Sequence, residues 1–211
     1  MSRSKLLYYL VVFLSLSVAL VTYRFLALGW QAAFPVLRAN VDAGEMAFAV
    51  HVLASPIALI SALPQFLPDL RARRPSLHRW AGRIYALAIL MGGISGLLLA
   101  WTAQDRPIAA AGFGLLAVSW LFITARGVLL ARAGKVASHR RWMLRSFSLT
   151  FAAVTLRLQL PVLFALGLNY PQASNIVAWT CWIPNLLLVE WLMRRALSGP
   201  GQADQALRAN T

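Results

Sequence analysis

Six long apolar segments constrain this chain more than any other feature of its sequence. They lie near residues 6–28, 46–67, 81–101, 108–131, 143–168 and 175–193. A helix of about 20 apolar residues crosses a bilayer and satisfies its own backbone polar groups, which lipid cannot do. The segments lack the alternating pattern of membrane β-barrels. We therefore predict an all-α polytopic bundle of six transmembrane helices in a single domain, 1–197, with a flexible cytoplasmic tail, 198–211.

The composition excludes a water-soluble domain. Hydrophobic residues make up 60% of the 211 positions, charged residues make up 12%, and the mean hydropathy is +0.67. A soluble domain of this size cannot bury so much apolar surface. A net charge of +14 would suggest nucleic acid as the partner of a soluble protein. Here the charges cluster in the connectors, so we predict the lipid bilayer as partner and no nucleic acid.

The basic residues indicate how the bundle is oriented. Most of the 20 Lys and Arg residues lie at one end of it. They are Arg3, Lys5, Arg71, Arg73, Arg74, Arg79, Arg83, Arg132, Lys135, Arg140, Arg141, Arg145, Arg194, Arg195 and Arg208. The connectors at the other end carry Arg24, Arg38 and Arg106. By the positive-inside rule, we predict a multi-pass protein of the bacterial inner (plasma) membrane with both termini cytoplasmic.

A short signature occurs twice at the cytoplasmic start of an apolar segment. The copies read His78-Arg79-Trp80-Ala81-Gly82-Arg83 and His139-Arg140-Arg141-Trp142-Met143-Leu144-Arg145. In a helix, the Trp and the final Arg of each copy share one face, so the guanidinium can cover the indole or reach an anion. Arginine binds phosphate and carboxylate bidentately, and histidine adds a protonation-dependent donor. We predict an anionic site with His78, Arg79, Arg83, His139 and Arg145; the alternative is anchoring to lipid headgroups.

Two further ionisable residues lie deeper in the predicted spans. At the helical rise, His51 is about 9 Å from the outer end of the second span, and Arg157 is about 18 Å beyond Arg145. A charge in lipid faces the bundle interior and has a partner. His51 and Arg157 are therefore predicted to share a site if the second and fifth spans are neighbours. The alternative is that Arg157 bonds backbone carbonyls at a kink caused by Pro161.

Glu190 is the one acidic residue inside a predicted span. It precedes Arg194 by one helical turn, and this spacing favours a local ion pair. We predict that pair. The alternative is that Glu190 is the counter-ion of Arg83 or Arg145 across the cytoplasmic edge.

The motifs together resemble those of a known family. They are Pro64-Gln65-Phe66, His78-Arg79-x-x-Gly82-Arg83-x-Tyr85, His139-x-x-Trp142-Met143-x-Arg145-Ser146, and Thr150-Phe151-Ala152-Ala153-Val154-Thr155-Leu156-Arg157. This pattern, from about His51 to about Pro161, resembles the prokaryotic membrane-protein family labelled domain of unknown function 2306. The resemblance implies a polytopic bacterial membrane protein with no established activity. It also implies that His51, His78, His139, Arg145 and Arg157 belong to one constellation.

Three classes of function remain open. We favour a binding or accessory protein that holds an anionic ligand or lipid in a His/Arg-lined site, as a homodimer or in a larger membrane complex. A redox protein is the second candidate: it would bind quinone, or b-type haem through His78 and His139. A small-molecule transporter that uses His51 and Arg157 is the third. No catalytic residue is assigned, and an enzyme, if it is one, would be a membrane oxidoreductase.

Overall fold

Six helical spans form the described part of the chain. The computed structural model describes residues 3–37, 45–103 and 105–197. Spans 1 to 6 are Lys5–Leu28, Met46–Phe66, Pro75–Thr102, Pro107–Arg132, Val136–Ala165 and Tyr170–Ala196, each long and apolar enough to cross a membrane. They confirm the predicted six-span, all-α fold, and these described residues contain no strand. Arg38 and the predicted tail, 198–211, lie outside the described residues.

The helices differ from the predicted spans mainly at their starts. The α-helices are Arg3–Thr22, Phe25–Leu28, Trp30–Ala33, Glu45–Ala62, Pro68–Arg73, Pro75–Thr102, Pro107–Arg132, Val136–Thr150, Ala152–Ala165, Tyr170–Thr180 and Ile183–Leu197, with 3-10 turns at Pro35–Leu37 and Leu63–Phe66. Spans 3, 5 and 6 begin before the predicted limits 81, 143 and 175. An apolar window detects only the part of a helix inside hydrocarbon. Spans 3 and 5 continue into the basic sequence before that part, and span 6 continues into residues 170–174, which carry no charge. His78 and His139 are therefore helical residues.

Spans 2 to 5 form a four-helix core. Each packs against the next in sequence, and spans 2 and 5 also contact each other. Span 1 packs on spans 2 and 5, while span 6 packs on spans 4 and 5. The main buried cluster consists of Ala58, Ala62, Tyr85, Ala88, Ile89, Trp120, Ile123, Leu149, Ala152, Cys181 and Trp182. Its many small side chains allow the close helix approach by which membrane helices associate.

The two ends of the bundle differ in charge. The basic end is where spans 1, 3 and 5 begin and spans 2, 4 and 6 end, and it carries most of the basic residues. The other end is called the opposite end. The basic half and the opposite half are the halves of the bundle next to these two ends.

Spans 5 and 6 are both interrupted, near Phe151 and Cys181. Pro184 lacks the N–H that would bond the Thr180 carbonyl in a regular helix. Gln159 Nε2 on span 5 donates to that carbonyl instead, at 3.2 Å. The Thr180 carbonyl therefore has a hydrogen-bond partner within the protein, as non-helical backbone in a membrane requires.

Candidate functional site

A network of five buried side chains joins spans 3, 4 and 5 in the basic half. We call it the Tyr85 network: Tyr85, Trp120, Thr124, Ser146 and Thr150. The Tyr85 hydroxyl is hydrogen-bonded to Ser146 Oγ at 2.8 Å and to Thr150 Oγ1 at 2.7 Å. Trp120 Nε1 donates to Thr150 Oγ1 at 2.9 Å, and Thr124 Oγ1 lies 2.7 Å from Ser146 Oγ. The network thus links three helices through paired polar groups.

No motif in the sequence predicts this network. Its available signal was a pair of hydroxyl residues one helical turn apart, Ser146 and Thr150, in a segment otherwise expected to be apolar. Tyr85 appeared only as one position of a motif. Partners on three different spans cannot be paired without knowledge of which helices are neighbours.

Arg145 and Glu190 form an ion pair between spans 5 and 6. Arg145 Nη2 donates to Glu190 Oε2 at 3.0 Å, and Arg145 Nε donates to Glu190 Oε1. The bidentate pair matches the alternative, and Arg194, the partner that we predicted, also acts electrostatically on Glu190. The reason is geometric, because a planar guanidinium fits a carboxylate with two bonds, whereas a pair along one helix gains only a few tenths of a kcal/mol.

The two copies of the signature are built differently. The predicted stacking is confirmed in both: the guanidinium carbon lies 5.0 Å from the Trp80 ring centre for Arg83 and 5.3 Å from the Trp142 ring centre for Arg145. Trp80 is exposed and Arg83 with it, whereas Trp142 and Arg145 are half-buried. The Arg–Trp pair of the first copy therefore faces outward, whereas that of the second copy lies against Glu190.

His78 and His139 precede Tyr85 and Ser146 by seven residues each. Seven residues are about two helical turns, so both histidines lie toward the basic end, on the helix faces that carry the Tyr85–Ser146 contact. His139 Nδ1 donates to the Gly127 carbonyl on span 4 at 2.8 Å. Its Nε2 is then the acceptor of the neutral ring. Haem ligation by these two histidines stays a prediction.

Arg157 lies in the opposite half and reaches span 1. Its Nη1 donates to the Ala153 carbonyl at 3.0 Å, one turn back in its own helix, and its Nη2 donates to Thr22 Oγ1 at 2.9 Å. The first bond agrees with the predicted alternative of a bond to backbone. The helix continues through Pro161 from Ala152 to Ala165, so the expected bend does not interrupt it. Neither ion pair of the described residues involves Arg157.

His51 lies in the same half of the bundle as Arg157, and a site shared by the two residues stays a prediction. The two side chains are close enough to interact electrostatically, and Arg24 likewise acts on Arg157. His51 Nδ1 donates to the Gly92 carbonyl on span 3 at 2.8 Å. A Cβ on Gly96 would lie only 3.1 Å from the imidazole Nδ1, so a larger residue there would require the imidazole to shift by a few tenths of an ångström. We call Thr22, Arg24, His51 and Arg157 the Arg157 cluster.

Two buried hydroxyls near the middle of the bundle have no hydrogen-bond partner among the described residues. They are Ser15 Oγ, on the face of span 1 that also carries Thr22, and Ser55 Oγ, one turn along span 2 from His51. Ser15 is fully buried. An unpaired buried hydroxyl is costly, so these two groups need an explanation that the protein's own hydrogen bonds do not supply.

The predicted site residues fall into two groups rather than one. His78, Arg79, Arg83, His139 and Arg145 lie at the basic end, and Arg79 is exposed. His51 and Arg157 lie in the opposite half. Among the side chains that the structure describes, which leave out those of Glu45 and Asp69, no three His, Cys, Asp or Glu residues come together as metal ligands would.

These features define a polytopic helical membrane protein with charged groups inside its bundle. A family model described as "Predicted membrane protein (DUF2306)" matches residues 48–193. The chain therefore belongs to this family. No curated protein and no solved structure matches it. The family description states a membrane protein and assigns no activity.

Proposed function

We propose that the chain is a binding protein of the bacterial inner membrane that holds an anionic ligand, or the anionic headgroup of a lipid, in the Arg157 cluster. The observation that carries the proposal is a guanidinium between helices with no carboxylate beside it in the described residues. Ionisable side chains inside membrane proteins pair with one another or mark a ligand site. An anion would supply the missing charge.

The donors and acceptors of the cluster suit an oxyanion. Arg157 uses one N–H each for Ala153 and Thr22, which leaves three of the five guanidinium N–H groups. His51 keeps its Nε2 lone pair because Nδ1 carries the proton donated to Gly92. The unpaired hydroxyls of Ser15 and Ser55 add groups that donate or accept. A phosphate or carboxylate with a hydrogen-bearing oxygen or neighbouring hydroxyl matches this set.

The proposed orientation places the cluster in the outer half of the membrane. The positive-inside rule assigns the basic end, with both chain termini, to the cytoplasm. The opposite end then faces the cell exterior, and an amphiphilic ligand would enter laterally from the outer leaflet. One folded unit, 1–197, would carry the whole site.

Binding of dodecyl phosphate to the protein in an uncharged detergent, followed by native mass spectrometry, tests the proposal. R157Q should weaken binding about tenfold, because hydrogen bonds to a charged group are worth about 1.5 to 3 kcal/mol. The matched control is R126Q, which removes an exposed arginine of span 4, and it should bind within about twofold of the unmodified protein.

Dodecyl phosphate binding is compared only between variants that fold. Cys181 is the single cysteine and is fully buried, so a thiol-reactive fluorogenic dye reports unfolding. If R157Q does not fold, R157K retains the charge but loses the planar fork and should bind several-fold more weakly. Equal binding by the unmodified protein and by a folded Arg157 variant would overturn the proposal.

A further inference from the structure

Two arginine–tryptophan stacks face outward at the basic end. Arg83 covers Trp80 on span 3 at 5.0 Å, and Arg195 covers Trp191 on span 6 at 4.0 Å. Trp80 is 60% exposed and Trp191 is 47% exposed. Both arginines are exposed as well. These are the surfaces that lipid contacts when the spans cross a membrane.

Each stack ends a lipid-facing apolar stripe. On span 3 the stripe consists of the exposed side chains Ile84, Leu87, Met91 and Ile94, and on span 6 of Leu187, Leu188 and Leu192. Acyl chains lie along such stripes, and indole rings lie at the boundary between hydrocarbon and headgroups. The guanidinium on the indole is therefore at the depth of lipid phosphate.

A third arginine–tryptophan stack differs from the two that face outward. Arg145 on Trp142 is already neutralised by Glu190. Among the described residues, neither Arg83 nor Arg195 takes part in an ion pair. A guanidinium that stacks by its face keeps the N–H groups at its edge for an anion. Charge complementarity thus points to an anionic group in the headgroup layer.

We propose that the Arg83–Trp80 and Arg195–Trp191 stacks are binding sites for the phosphate of anionic phospholipids. The guanidinium edge binds the phosphate oxygens, the indole holds the glycerol region, and the apolar stripe holds one acyl chain. The side chain of Arg83 leans toward the start of its helix, back over Trp80 and toward the headgroups. These sites are separate from the Arg157 cluster and do not depend on the function proposed for it.

Native mass spectrometry of the full chain, released from nanodiscs of equal parts phosphatidylglycerol and phosphatidylcholine, tests this assignment. The unmodified protein should retain phosphatidylglycerol preferentially. R83Q and R195Q should each lower the retained phosphatidylglycerol about fivefold at one site, since one arginine near an anionic surface contributes about 1 kcal/mol. W80L should reduce retention at the span 3 site through loss of the stacked ring.

Matched controls separate a defined site from diffuse attraction. Arg126 and Arg132 are exposed arginines near the same end of span 4, and neither is stacked on an indole in the described residues. R126Q and R132Q should leave the retained lipid unchanged. An equal loss in all four arginine variants would show a diffuse surface potential, and no loss in R83Q and R195Q would show no site; either result overturns the proposal. R145Q is not used because it breaks the ion pair with Glu190.

Discussion

The two halves of the bundle differ in how many partners their buried polar groups have. In the basic half, the Tyr85 network pairs its hydroxyls with one another, and Arg145 has Glu190. In the opposite half, Arg157 has only a carbonyl and Thr22 as partners among the described residues. Near the middle of the bundle, the hydroxyls of Ser15 and Ser55 have no hydrogen-bond partner among the described residues. A complete hydrogen-bond network stabilises helix packing. In an incomplete network, a ligand can supply the missing hydrogen bonds.

Two arginines of span 5 also differ in their partners. Arg145 is held in a bidentate ion pair between spans 5 and 6, so its charge is used within the protein. Arg157 lacks such a pair in the described residues. The same residue type, in the same span, therefore stabilises packing at one depth and is available for binding at another.

Neutralising Glu190 should have the largest effect on stability. E190Q leaves Arg145, which is only 24% exposed, without its carboxylate, and we expect a loss of about 2 kcal/mol in the free energy of unfolding. The measurement is thiol-dye melting at Cys181, calibrated by denaturant titration. The matched control is D105N, which removes a carboxylate that is 72% exposed, and its pair with Arg106 should contribute less than about 1 kcal/mol. Equal effects of both variants would mean that the span 5–span 6 pair does not stabilise packing.

Removing one hydroxyl of the Tyr85 network should have the next largest effect. S146A deprives Tyr85 and Thr124 of a partner, although each keeps another bond. We expect a loss of about 1 kcal/mol, since hydrogen bonds between membrane helices average about 0.6 kcal/mol and reach about 1.7 kcal/mol. The same melting measurement applies. No loss of stability would show that the network is dispensable for packing.

The sequence was sufficient for the class of fold because hydrocarbon thickness constrains span length directly. All six spans appear within a few residues of the apolar segments, and the errors lie where helices extend beyond hydrocarbon, as at Pro75 and Val136. The stacking of Arg83 and Arg145 was also predictable. It depends only on the spacing of residues within one helix.

The partners between helices were not predictable from one sequence. Glu190 had a suitable arginine one turn away, yet Arg145 on another span binds it. Thr22 in span 1 was not expected to bind Arg157, because span 1 lies outside the motifs that carried the family resemblance. Such contacts depend on which spans are neighbours and how each is rotated. Periodicity alone does not determine either.

The smallest stability effect should come from Ser15, and its sign tests the contrast between paired and unpaired buried hydroxyls. Ser15 Oγ is fully buried and unpaired among the described residues, so S15A removes a desolvated hydroxyl and no hydrogen bond. We expect the ligand-free protein to be unchanged or up to about 1 kcal/mol more stable. The same variant should bind dodecyl phosphate more weakly if the hydroxyl serves the ligand. Melting with and without the probe measures both quantities. A destabilisation as large as that of S146A would mean that Ser15 has a structural partner and stabilises packing, as the hydroxyls of the Tyr85 network do.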